Sequence, residues 1–148
     1  MAFQKAPTII RLTVMISGGM DPVHVGHLDL IEAATEFGEV IVALNSGAWL
    51  IRKKGFALMQ WSDRARLVKA IRNVADVFSV DDSDGTVCEA LRRIHPTYFA
   101  NGGDRTTGNS KEHEVCTELG IIELFNVGGP KTRSSSELVI RATKADQV

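Results

Sequence analysis

Two histidines three residues apart, His24 and His27, stand in the segment Ser17-Gly18-Gly19-Met20-Asp21-Pro22-Val23-His24-Val25-Gly26-His27. At the start of a helix this spacing brings both imidazoles to one side, beside backbone N–H groups and the positive end of the helix dipole. Gly26 removes a side chain that would stand in front of those amides, and Gly18-Gly19 lets the backbone turn sharply and approach a ligand. Donors converging on one spot describe a polyphosphate site, where imidazole N–H groups meet charge that grows during displacement. Zinc suits the pair poorly, because the usual helical pair is HExxH and no cysteine or third histidine lies in the segment. Neither GxxxxGK[ST] anywhere nor GxGxxG after the first strand occurs, which counts against a P-loop and against a dinucleotide fold.

Three further clusters carry groups of the same kind. Asn45-Ser46-Gly47 precedes Arg52-Lys53-Lys54-Gly55, and lysines on a loop are point charges that can neutralise transferring phosphates. Ala100-Asn101-Gly102-Gly103-Asp104-Arg105 allows close backbone approach, with Asp104 able to accept from a sugar hydroxyl. Gly128-Gly129-Pro130-Lys131-Thr132-Arg133-Ser134-Ser135-Ser136-Glu137 offers three hydroxyls at a helix start, with Lys131 and Arg133 adding charge. Plainer readings compete. Ser134 and Glu137 alone make a capping box, Asn-Gly-Gly-Asp is ordinary turn chemistry, and Trp49 and Trp61 read first as packing residues. His95 and His113 read as surface positions.

The elements that must position these clusters alternate in type. Ile9–Ser17, Glu39–Asn45, Ala75–Val80, Thr97–Ala100 and Ile121–Val127 read as strands, rich in β-branched and apolar residues. Glu39–Asn45 is nearly continuously apolar, as suits a strand covered on both faces. Helical spacing runs through His27–Glu36 and through Leu67, Val68 and Ile71 after a cap at Ser62. Capping boxes at Thr86/Glu89, Asn109/Glu112 and Ser134/Glu137 open three more helices. Five strands alternating with five helices predict a single Rossmann-like, doubly wound α/β domain over residues 1–148 with a five-stranded parallel sheet. In such folds ligands bind beyond the carboxyl ends of the strands, where strand order reverses. That directs attention to the loops after strands one, two, four and five, where all the clusters lie.

The segment Gly18-x-Met20-Asp21-Pro22-x-His24-x-Gly26-His27, taken with the terminal serine cluster, resembles the GxFDxxHxGH motif of the nucleotidyltransferase superfamily of cytidylyltransferases and adenylyltransferases. The likeness spans Ile10 to Ala142 and is greatest to the group acting on small sugar phosphates and alcohol phosphates. It implies transfer of a nucleoside monophosphate from CTP or ATP to a phosphorylated acceptor, with pyrophosphate released and Mg²⁺ carried by the triphosphate. By resemblance His24 and His27 hold the phosphates, and Lys53 or Lys54 bridges acceptor and α-phosphate. Gly18, Gly19, Met20, Asp21, Gly26, Gly103 and Asp104 line the nucleotide pocket. Arg133, Ser134, Ser135 and Ser136 bind the β and γ phosphates, and Asn45 and Arg64 contact substrate. Gly47 stands where heptose-type relatives often carry Asp. "NGGD" is nearer to the "KGGD" of ADP-heptose synthase than to the "GDDW" of glycerol-phosphate enzymes. A catalytically silent nucleotide-binding module and a protein-interaction subunit are the competing readings.

Composition bounds the rest. The 148 residues are 44% hydrophobic and 24% charged, the balance of ordinary globular proteins and not of a disordered or collagen-like chain. Seventeen basic and eighteen acidic residues leave a net charge of −1, a weak footprint for nucleic acid. Apolar runs of about five residues fall far short of the ~20 of a membrane span. Met1–Thr8 lacks the apolar region of a secretion signal, so a cytoplasmic enzyme is expected, as a homodimer. Cys88 and Cys116 fall in helical patterns without CxxC spacing and are expected as buried, reduced thiols.

Overall fold

A computed structural model describes residues 10–103, 108–130 and 133–145. Eleven elements follow one another as β1 (Thr13–Gly18), α1 (Val25–Ala34), β2 (Glu39–Leu44), α2 (Gly47–Lys54), α3 (Trp61–Lys69) and β3 (Val74–Ser79). There follow α4 (Cys88–Ile94), β4 (Tyr98–Gly102), α5 (Ser110–Leu119), β5 (Ile122–Val127) and α6 (Ser135–Ala145). The strands pair in the order β3-β2-β1-β4-β5, every pair parallel. The doubly wound α/β expectation therefore holds.

Alternation along the strands splits the core in two. Val14 and Ile16 of β1 join Val40, Val42 and Leu44 of β2 in a cluster with Ile31 and Ala34 of α1 and Val68 of α3. Met15, Ile41 and Ala43 point to the other face and meet Ala90 and Leu91 of α4 and Val115 and Cys116 of α5. Both faces of β1 and β2 are thus covered, which is why their sequences read as unbroken apolar runs. The strand order reverses between β1 and β4. Six residues of β1 are in register with β2, whereas only Val14↔Tyr98 and Met15↔Phe99 join β1 to β4. Helix α1 spans that junction, placing Leu30 against Gly102 at the end of β4 and against Gly128 beyond β5.

Several expectations are corrected. The second loop holds a sixth helix, α2, capped by Ser46 Oγ, which accepts from Trp49 N, and ended by Gly55 in a left-handed conformation at φ 87°. β1 starts at Thr13 and not at Ile9, since Ile10 and Leu12 lie exposed before the sheet begins. The Thr86/Glu89 box does not form: Glu89 accepts from Asp81 N and pairs with Arg93. At Asn109 only half a box forms, because Asn109 Oδ1 accepts from the Lys111 and Glu112 amides while Glu112 Oε1 turns to Val87 N. Cys116 is buried, but Cys88 only partly so. No helix among the described residues is long and apolar enough to cross a membrane.

Candidate active site

Beyond the carboxyl ends of β1 and β4 lies a crevice of about 790 Å³, toward the upper end of the ~300–1,000 Å³ usual for small-molecule sites. The reversal of strand order creates it, because the connections from β1 and β4 leave toward opposite faces. Gly18, Gly19, Met20, His24, Gly26 and His27 form its floor, and Asn45, Lys53 and Lys54 one flank. Gly103, Arg133, Ser134, Ser135 and Ser136 join the lining from the second half of the chain. Residues expected from sequence to share a site are thus brought together from four connections. Asp104 lies outside the described residues. Among the described residues of the lining, Arg52, Lys53, Lys54 and Arg133 are cationic, Arg52 being paired with Asp82, and Asp29 and Glu112 are carboxylates, a field suited to an anion.

The two histidines begin α1 in an arrangement that decides their chemistry. His24 is the N-cap: its Nδ1 accepts from Gly26 N at 3.0 Å, and its own backbone N–H donates to His27 Nδ1 at 3.0 Å. An Nδ1 that accepts an amide proton carries none itself, so the neutral rings hold their protons on Nε2. The rings lie with centroids 3.9 Å apart and planes 30° inclined. Each is a neutral donor fixed in tautomer and orientation by the backbone. The amides that the sequence suggested for a phosphate are partly used already, since Gly26 N serves His24 Nδ1 and His27 N serves His24 O. A methyl group at residue 26 would stand 2.9 Å from His24 Cε1, so glycine is required there to leave room for the capping ring.

Helix α6 supplies a second helix start to the same space. Ser134 Oγ accepts from Glu137 N at 3.0 Å, and Ser135 Oγ donates to Pro22 O at 2.8 Å. That last bond ties the serine cluster directly to the histidine loop, 113 residues away in sequence. On the α2 flank, Lys53 Nζ stands 4.5 Å from the centroid of the Trp49 ring. Trp49, half-buried, also lines the crevice. Trp61 does not, and its Nε1–H donates to Leu44 O.

A model of the cytidylyltransferase-like family matches residues 15–142. The chain belongs to that family of nucleotidyltransferases. It is 30% identical over 114 residues to a protein named FAD synthase from Thermococcus kodakarensis, covering 75% of each chain. Against the bifunctional protein HldE of Streptomyces coelicolor it is 33% identical over 138 residues. That match takes in 89% of this chain but only 29% of HldE. Among solved structures, the lipopolysaccharide core biosynthesis protein from Thermoplasma volcanium superposes with a TM-score of 0.67 at 18% identity. It covers 79% of this chain and 96% of its own, which is a likeness of fold.

In this cytidylyltransferase-like chain two residues expected at the ligand, Asp21 and Arg64, face inward and brace the site. Asp21 is buried, and its carboxylate oxygens accept from Leu58 N at 2.6 Å and Met59 N at 2.9 Å. Arg64 is fully buried. Its Nε donates to Met59 O, and its Nη1 donates to Gly19 O and Asn45 O, both at 2.8 Å. Burial pushes the guanidinium pKa down, partly offset by the charges of Asp21 and Asp82. Neither residue lines the crevice; together they lock the β1 and β2 loops to the start of α3. Asp82 does the same from the loop after β3, which sequence reading passed over. It accepts from Asn45 Nδ2, Ser46 N and Ser46 Oγ, at 3.0, 2.8 and 2.6 Å. The acidic run Asp81-Asp82-Ser83-Asp84 was the available signal, though nothing in it singles out the buried member. His95 and His113 lie outside the crevice; His113 Nδ1 pairs with Glu123 at 2.5 Å.

Proposed function

We propose that the chain is an adenylyltransferase, passing AMP from Mg²⁺-bound ATP to a small phosphorylated acceptor and releasing pyrophosphate. The observation that carries the reading is the pair of Nε2–H donors at the start of α1, tied through Ser135 to the serine-rich start of α6. An extended polyphosphate lying between two helix starts meets donors at both ends. His24 and His27 donate to the α and β phosphates, and Arg133 with Ser134–Ser136 hold the far end. An oxygen of the acceptor phosphate attacks the α-phosphorus and forms a new P–O bond. The bond from that phosphorus to its bridging oxygen breaks opposite, and the electron pair leaves with pyrophosphate. The acceptor oxygen is already ionised near neutral pH, so no general base or covalent enzyme intermediate is required. Catalysis is positioning plus charge stabilisation, with Lys53 or Lys54 between the two substrates. Adenosine is favoured over cytidine as the donor base by the FAD synthase relative, since FAD is itself an adenylyl group joined to a phosphate. The reading extends to a cytoplasmic homodimer.

A thermal-shift titration with ATP, CTP, GTP and UTP, each with Mg²⁺, tests the donor. A ligand at ~100 times its Kd stabilises the fold by about 2.7 kcal/mol. A shift for ATP, followed by pyrophosphate release across a panel of acceptor phosphates, is the expected result. A shift for CTP alone would make the donor cytidylyl, and none with any nucleotide would overturn the reading.

A further inference from the structure

Helix α2 brings Lys53 and Lys54 to the crevice, yet little of it is buried. Of its eight residues only Leu50 is fully buried. It packs over Gly19, where a methyl group would stand 2.5 Å from Leu50 Cδ2. A helix this short does not hold its shape alone in water. One apolar anchor also leaves it able to pivot, so its bearing over the crevice depends on contacts at its ends.

Asp82, outside the helix, reaches both ends. It is 3% exposed and lies in the loop between β3 and α4. Its Oδ1 accepts from Ser46 Oγ at 2.6 Å, and Ser46 Oγ accepts in turn from Trp49 N at 3.0 Å, capping the helix. Because the hydroxyl proton goes to the carboxylate, the oxygen's lone pairs are left for the helix amide. Asp82 Oδ2 accepts from Ser46 N and from Asn45 Nδ2, which fixes the approach to the cap. In the last turn of α2, Arg52 Nη2 donates to Asp82 O at 2.7 Å and stands 3.8 Å from Oδ1. Asp82 is itself held: its carbonyl also accepts from Gly85 N, and the neighbouring Asp81 N donates to Glu89 on α4. Neither Asp82 nor Ser46 lines the crevice.

Both routes converge on the lysines. Ser46 seats Trp49, on whose ring face Lys53 Nζ rests 4.5 Å from the centroid, and Arg52 immediately precedes Lys53 and Lys54. From this we infer that Asp82 is a positioning residue, which fixes the bearing of α2 from behind the crevice and with it the placement of Lys53 and Lys54. A buried carboxylate is costly unless donors fill its oxygens, and here the cap and the last turn of α2 are among those donors. The inference rests on the nucleotidyl-transfer reading for what the lysines do, and adds the residue that holds them in place.

Asp82→Asn keeps the shape but has one acceptor oxygen. With that oxygen on Ser46 N and Asn45, its NH₂ faces Ser46 Oγ, which loses the acceptor that orients its proton. Hydrogen–deuterium exchange read by mass spectrometry is expected to show lost protection over residues 47–55, with β1, β2 and α1 as protected as in the parent protein. Pyrophosphate release from Mg²⁺-bound ATP is measured with glucose 1-phosphate, glycerol 3-phosphate and riboflavin 5′-phosphate. With whichever is turned over, kcat should fall about 10²-fold, the cost of misplacing a catalytic group by ~1 Å, while the KM for ATP stays unchanged. Ser46→Ala breaks the capping route without altering Asn45 or Arg52 and should lower kcat by a smaller factor. Ser46→Thr, which restores the hydroxyl, should recover it. The two Ser46 variants decide the matter should Asp82→Asn fail to fold. Exchange that rises evenly over the whole chain, or stays unchanged over 47–55, overturns the inference. So does a kcat indifferent to the substitutions, or a loss that Ser46→Thr shares equally with Ser46→Ala. Where no acceptor is turned over, the exchange pattern alone decides. Failure of ATP to bind at all is seen separately in the thermal shift and removes the parent reading instead.

Discussion

Asp21 separates two ideas of how the histidine loop works, and replacing it with asparagine distinguishes them. The motif resemblance puts this carboxylate at the nucleotide, whereas in the fold its two oxygens accept the amides of Leu58 and Met59. Asparagine keeps the shape but can accept from only one amide; its NH₂ confronts the other. A buried donor left without an acceptor costs ~1–3 kcal/mol, and changing the surviving bond from charged to neutral removes roughly another 1 kcal/mol. Leu58 is 53% exposed, so water offsets part of the loss at its amide. The lower end, about 2 kcal/mol, is therefore expected. For a chain of this size that lowers the thermal midpoint by roughly 4–8 °C. Differential scanning calorimetry with and without ATP measures both consequences together. The expected result is a lower midpoint that ATP still raises. A midpoint within a degree of the parent protein, with the ATP shift abolished, would place the carboxylate on the ligand and refute the bracing role.

Three other expectations follow from the same structure. His24→Asn should preserve the cap, because asparagine is among the best N-cap residues. It deletes the Nε2–H, so turnover should fall by about 10²–10³ with little loss of stability; an equal loss of folding and activity would count against the donor role. Iodoacetamide at pH 8 should label Cys88 well before Cys116, whose thiol is buried and pushed up to about 12 by burial and then by Glu123 and Glu112; mass spectrometry of partly labelled protein would show the order. Hydrogen bonds hold the carboxyls of Asp76, Asp81, Asp84, Glu89 and Glu118 below their ordinary range. Their contribution is present at neutral pH and is lost as pH falls through their folded values. The urea midpoint should decline as pH falls below about 4; a midpoint that rose on acidification through that range would contradict this.

The sheet and the histidine loop were legible because their signals are local. Runs such as Glu39–Asn45 suit a strand buried on both faces, and the reversal of strand order then puts the crevice after β1 and β4. Helix α2 was hidden because only Leu50 of its eight residues is fully buried, so it has no apolar period to read. What marks it is a serine cap and a terminal glycine around a basic run that looks like a loop. The capping by His24 was hidden for another reason: imidazole is seldom counted among caps, and only the fold shows that Nδ1 does the work of a serine oxygen. Arg64 and Asp82 were out of reach because their partners are carbonyls, amides and side chains far away in sequence, which no local spacing encodes.

The narrow pairing of β1 with β4 bears on more than topology. Two matched residue pairs form a seam between half-molecules, and helix α1 is the strap across it, cinched by Leu30 against Gly102 and Gly128. The buckle of that strap is its first turn, where the histidines face the crevice. A polyphosphate gripped by both helix starts would stitch the halves together along the line where the sheet itself is weakest. Gly128 has φ 85° and lies where a Cβ would come within 3.2 Å of the Leu30 backbone. A side chain there would act as a wedge under the strap, loosening the half-molecules at the place where the ligand must join them.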